Sequence, residues 1–260
     1  MIIVYILAAI LIFGVLIAVH EFGHFAAAKL CGVRVNEFSI GMGPLIWHKE
    51  TAETQYSLRL LPIGGFCAME GEDEESGDER SLGRQGFFKK AVIFAAGSFM
   101  NFLAGFLLIL AVYSGAAGFL IPAAAGTAPE FEHQNGQTLQ AGDIFYEING
   151  ERVYLYSDVS LLMSLHQGQP MDLVVLRDGE KVELNDITWG TYTGTEGETY
   201  QGYGIYIAGD QVEEANLWTL LKISWLNTID FVRIVRLSLQ MLVTGQPRMD
   251  DLSGPVGIVS

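Results

Sequence analysis

MIIVYILAAILIFGVLIAVHEFGHFAAAKLC, residues 1–31, decides how this chain is read. From Met1 to Val19 it carries no charge and almost no polar group. An apolar stretch of about 20 residues matches the hydrocarbon thickness of a bilayer. A secretory signal would begin with a basic segment, and no Lys or Arg precedes Lys29, so a membrane span is expected instead. The apolar pattern continues through His20 and His24 to about Cys31, which predicts one long helix that can protrude from the bilayer.

The span ends in His20-Glu21-Phe22-Gly23-His24. Residues at i and i+4 share one helix face, so both imidazoles can reach a single Zn2+ ion. Glu21, turned about 100° around the helix, can stand beside a metal-bound water as general base. Such a cluster inside a membrane helix is costly unless it is paired or liganded. Two other readings stay open: three polar residues hydrogen-bonded in the headgroup region, and a histidine pair ligating haem or redox iron, which leaves Glu21 without a role. Zinc catalysis normally takes three protein ligands plus water, and two are visible. His48 in the first loop, and His133 and His166 further on, are not placed to complete the set. Asp250 and Asp251 fall on the other side of the membrane.

Working outward, a second apolar stretch runs from Ala91 to about Ile121, with Lys89 and Lys90 at its edge as interfacial anchors. Eight of the fifteen Lys/Arg lie between Lys29 and Lys90, whereas residues 122–214 hold only Arg152, Arg177 and Lys181. The positive-inside rule then makes the first loop (32–90) cytoplasmic and the following segment (122–210) extracytoplasmic. Half of the 260 residues are apolar and 17% are charged, against about a quarter in soluble domains. The net charge of −15 excludes nucleic acid as a partner, since phosphates need a basic face. Cys31 and Cys67 lie in unrelated contexts and read as small buried hydrophobes, not a disulfide framework.

In the first loop, Tyr56, Leu58 and Leu60 alternate with Gln55, Ser57 and Arg59, the period of a strand. Pro62 and Gly64-Gly65 predict a turn, with Phe66 to Met69 returning as its partner. Residues 70–80 read as a solvated acidic loop. The outer segment reads as a small mixed α/β domain: a strand over 143–148 ending at Asn149-Gly150, a short helix over 157–166, a hairpin about Asp178-Gly179, a loop over 191–203 and a last strand over 204–208. Within 211–249 apolar residues recur at helical spacing. Lys222, Asp230, Arg233 and Arg236 interrupt them, so an amphipathic helix at the interface or on the outer domain fits better than a third span. Residues 250–260 read as the start of a further span that is cut short.

With these elements in order, the chain resembles the site-2 protease family, in its bacterial branch that regulates sigma factors. His20-Glu21-Phe22-Gly23-His24 is similar to the family's zinc motif, and residues 38–44 resemble the segment that follows it. Leu61-Pro62-Ile63-Gly64-Gly65-Phe66 with Met69-Glu70-Gly71-Glu72 resembles its membrane-dipping β-hairpin. Residues 95–102 resemble its second span, although Ser98 stands where proline is usual. Residues 139–150 resemble its PDZ domain, and 252–258 the beginning of its third span.

The resemblance implies a polytopic α-helical membrane protein with an inserted α/β PDZ-like domain and a membrane-associated β-hairpin. It implies His20 and His24 as zinc ligands, Glu21 as catalytic base, and a third ligand, an aspartate of a Leu-Asp-Gly motif, beyond Ser260. The 260 residues alone are therefore expected to lack a complete metal site and activity. It further implies that Gly64, Gly65 and Phe66 hold substrate as an added strand, and that Asn101 bonds either the substrate or a neighbouring helix. The expected substrates are single-pass membrane proteins, such as an anti-sigma factor, met within the lipid bilayer of the plasma or inner membrane. A non-catalytic adaptor working through its PDZ-like domain is the alternative.

Overall fold

A computed structural model describes residues 2–131, 138–194 and 197–244. The chain divides into two compact units, residues 1–108 and 109–260, with the division falling inside a helix.

The first unit holds α1 (Ile2–Cys31), β1 (Val35–Glu50), β2 (Gln55–Met69) and most of α2 (Phe87–Tyr113). Both helices are long and apolar enough to cross a membrane. Leu7, Leu11, Phe13, Phe94, Leu107 and Leu108 point outward. Such exposed apolar surface suits a helix to an apolar medium. α2 starts at Phe87 and stops at Tyr113, short of Ile121. Past Ser114-Gly115 the chain turns, and residues 118–120 become the short strand β3 (Gly118–Leu120).

The β-structure of the first loop differs from the expected hairpin within 55–69. Segments 55–58 and 65–68 do not pair with each other; both pair with residues 37–40, one on each side. Residues 45–50 pair with 55–59 across a turn in which the Thr51 N–H donates to the Thr54 carbonyl. The sequence predicts no strand over 35–50, but Gly41, Gly43 and Pro44 do not break one there. They act instead as a bend: Gly41 has φ +84° and Gly64, opposite, φ +100°, so both strands fold back on themselves. Residues 65–69 form one outer margin of this sheet, where no further strand pairs among the described residues. Beneath it Ala28, Val33, Val35 and Ile93 are fully buried with Cys67 and Met69.

The second unit is sheet-rich. Its central sheet has the order β6-β5-β7-β8, built from β5 (Ile144–Ile148), β6 (Glu151–Arg152), β7 (Met171–Arg177) and β8 (Glu180–Ile187). Asn149-Gly150 and Asp178-Gly179 all take positive φ, the two-residue turn that Asn-Gly and Asp-Gly favour. α3 (Tyr156–Leu165) lays Val159 and Leu162 on Phe145, Ile148, Leu173 and Leu184. β4 (Ala124–Thr127) pairs with β11 (Ile205–Ile207), and β3 with β12 (Val212–Glu214). The expected loop over 191–203 is a hairpin, β9 (Gly190–Thr193) with β10 (Thr199–Gly202). Its glycines read as loop, but Thr191, Tyr192, Thr193, Thr199 and Tyr200 have the β-branched and aromatic character that strands favour. Asp143 is clamped by Arg177, whose Nε and Nη2 donate at 2.8 and 2.7 Å, and this fixes the turn over 139–143.

α4 (Leu217–Thr244) is not apolar enough to count as a span. Its polarity is reversed relative to a soluble helix: Thr219, Ser224, Thr228, Asp230 and Arg233 are buried, while Trp218, Trp225, Phe231, Val232, Val235 and Leu239 are exposed. Arg233 reaches Asp158 of α3 at 2.7 Å, pairs with Asp230 and donates to the Arg152 carbonyl. Asp158 also accepts the N–H groups of Tyr154 and Leu155 at the start of α3. Asp230 and Arg233 thus hold α4 on the α/β unit, buried together with Asp158, whereas Lys222 and Arg236 are exposed and pair with Glu213 and Glu151.

Candidate active site

Small residues let α1 and α2 approach at the level of the motif. A Cβ on Gly23 would lie 2.4 Å from the Ala96 carbonyl oxygen, so only glycine permits this contact. Ile93, Gly97 and Asn101, one turn apart on α2, therefore face the histidines. His24 Nδ1 donates to the Ile93 carbonyl at 2.7 Å. With its proton on Nδ1, a neutral His24 presents the lone pair of Nε2. His20 Nε2 lies 3.2 Å from His24 Nε2.

Two nitrogens at 2.0–2.1 Å from one tetrahedral zinc would stand about 3.3 Å apart. The imidazoles already have that spacing, and the α2 backbone walls the place where they meet. A Cβ on Gly97 would sit 2.5 Å from His24 Nε2 and 2.7 Å from His20 Nε2. Donor type, spacing and the cradle all fit a zinc ion. Bis-histidine haem fits poorly, because axial ligands approach from opposite faces whereas these nitrogens converge from one side.

Glu21 and His24 line a cleft of about 220 Å³ with Cys67, Met69, Glu72 and Phe94. The outer margin of the sheet comes up to it: a Cβ on Gly65 would lie 3.4 Å from Glu21 Cγ. Gly65 and Phe66 pair with Ile40 and Ser39, and Gly64 forms the bend just before them. Burial, with the Glu21 and Glu72 carboxylates nearby, pushes the Cys67 thiol up to about 12, as expected of a small buried residue rather than a reactive thiolate.

Among the described residues no group of three or more His, Cys, Asp or Glu is placed to hold a metal. His48 is exposed on β1 opposite Ser57, and His166 ends α3, donating from Nδ1 to the Leu162 carbonyl at 2.9 Å. His133, Asp250 and Asp251 lie outside the described residues. Asn101 comes within 3.4 Å of His20 Nδ1 through its Nδ2. The sequence gives no sign of two other participants, the Ile93 carbonyl and Gly97. The first is a backbone atom of another helix; the second had only the small-residue run 95–98 to mark it.

Residues 8–260 match the model of peptidase family M50, the site-2 proteases. The chain belongs to this family. It is 34% identical over 256 residues to a predicted zinc metalloprotease of Clostridium perfringens, covering 98% of this chain and 74% of that protein. A second predicted zinc metalloprotease, from Clostridium acetobutylicum, is 34% identical over 254 residues, covering 98% and 73%. The regulator of sigma-W protease RasP of Bacillus subtilis is 24% identical over 340 aligned residues, covering 97% and 78%. As an M50 peptidase the protein is a membrane-embedded, zinc-dependent metalloendopeptidase, which removes the adaptor alternative.

Proposed function

We propose that His20 and His24 provide two of the zinc ligands and that Glu21 is the general base of an intramembrane endopeptidase. The observation that carries this is the 3.2 Å approach of the two Nε2 atoms, with His24 already held by the Ile93 carbonyl. A zinc ion held by His20 and His24 would supply Lewis acidity to a water molecule and to the scissile carbonyl. Glu21, facing the same cleft, takes the proton of the attacking water on its carboxylate and returns it to the departing amide nitrogen. The cleft lies at the end of the apolar part of α1, so peptide bonds in a membrane segment can reach it. In the full-length protein, elemental analysis is expected to give one zinc per chain, and His24→Ala to lose it. Full zinc content in that variant would exclude His24 as a ligand.

The substrates proposed are single-pass membrane proteins, an anti-sigma factor among them; the likeness to a regulator of sigma-W protease supports that class. A membrane helix bonds its own amides and must open before hydrolysis. The margin of residues 65–69 lies beside Glu21 and pairs with no further strand among the described residues, which supports a role for Gly64, Gly65 and Phe66 in holding the opened segment by strand addition. Gly65→Pro removes a strand N–H and sets a Cβ 2.9 Å from the Ser39 carbonyl oxygen, so this margin must shift. It is expected to slow cleavage at least tenfold, the worth of a hydrogen bond of about 1.4 kcal/mol or more, with zinc retained. Unchanged turnover would exclude strand addition.

The proposed topology is polytopic, with the first loop and the metal site towards the cytoplasm and the α/β unit outside. The turn over 139–143 and the strands after it support a PDZ-like reading of that unit. The exposed apolar face of α4 suits it to the membrane surface.

A further inference from the structure

Asn101, which the sequence offered to the substrate or to a neighbouring helix, faces the metal site from α2. Its Nδ2 is 3.4 Å from His20 Nδ1, and its Oδ1 is buried with no hydrogen-bond partner among the described residues. This pairing makes His20 Nδ1 the acceptor, which puts the imidazole proton on Nε2. A protonated Nε2 cannot give its lone pair to a metal. A half-turn of the amide about Cβ–Cγ exchanges its oxygen and nitrogen, which occupy almost the same space. Oδ1 then accepts the Nδ1–H, Nδ2 takes the place that Oδ1 held, and Nε2 is left with a free lone pair beside that of His24. The Ile93 carbonyl does the same for His24 at 2.7 Å.

We propose that Asn101 is a positioning residue for the metal centre, its side-chain oxygen holding His20 in the Nδ1–H tautomer that ligates zinc. The proposal rests on His20 and His24 as ligands. What the position needs is an acceptor, and a carboxylate of the same shape supplies one. A substrate-binding or interhelical role for the amide N–H would need a donor, which aspartate lacks.

The test is the zinc affinity of the purified full-length protein, measured by competition with a chelator. Asn101→Leu is expected to weaken it 10- to 100-fold, the usual cost of losing a hydrogen-bond partner of a ligand. Asn101→Asp is expected to stay within about threefold of wild type or to bind more tightly, since carboxylates strengthen histidine ligands. Should the leucine variant fail to fold, the aspartate variant carries the test alone. An aspartate variant weakened tenfold or more would overturn the proposal, and so would a leucine variant with wild-type affinity. Zinc binding that survives His24→Ala would instead overturn the ligand assignment, and this role with it.

Discussion

A Glu21→Gln enzyme is expected to bind zinc as the wild type does and to cleave its substrate about 10²–10⁴-fold more slowly, the usual worth of a general base. Glutamine keeps the size of the side chain and its place in the cleft with His24, Cys67 and Glu72, but cannot take a proton. Glu21 is not on the face that carries His20 and His24, so its replacement leaves the two nitrogens converging. The measurement is paired: elemental zinc per chain, and cleavage of a single-pass membrane protein in proteoliposomes. Loss of metal from the glutamine variant would make Glu21 a ligand. Undiminished cleavage would remove it from the chemistry.

The parts of this site that were legible in the sequence are those encoded within one helix. The spacing of His20 and His24 depends only on helical geometry, and the apolar run before them is long enough to cross a membrane. The parts that were not legible depend on which residues of α2 come opposite. Nothing in Ile93 announces that its carbonyl will orient an imidazole. Asn101 could be seen as polar and costly within a span, but its partner on another helix could not be chosen. In the first loop the strand alternation over 55–60 was visible, yet the pairing followed from Gly41 and Gly64, whose bends put residues 37–40 between two segments of β2. Turn chemistry was reliable where the turn has two residues, as at Asn149-Gly150 and Asp178-Gly179. It misled at 191–203, where glycines flank β-forming Thr and Tyr. For α4 the charges favoured an amphipathic helix over a span, while the buried partner of Arg233, Asp158 of α3, follows only from the packed structure.

Gly97→Ala separates the interhelical part of the site from the helix-encoded part. In a helix without neighbours this change is favourable, because alanine has a helix propensity about 1 kcal/mol better than glycine. At position 97 the new methyl would stand 2.5 Å from His24 Nε2 and 2.7 Å from His20 Cε1 and Nε2. These atoms cannot yield cheaply, since His24 is tethered to Ile93 and both rings are rigid. Either α1 and α2 move apart or the imidazoles swing away from each other. Overpacking of this kind costs about 1–3 kcal/mol, so zinc affinity is expected to fall roughly 10- to 100-fold, with activity falling at least as far. Gly105→Ala in the same helix is the control: nothing lies within 4 Å of its added Cβ, and zinc affinity should be unchanged there. If both variants bind zinc like the wild type, Gly97 does not form the wall of the metal site. If both lose it equally, the effect belongs to the stability of α2 and not to the place where the imidazoles meet.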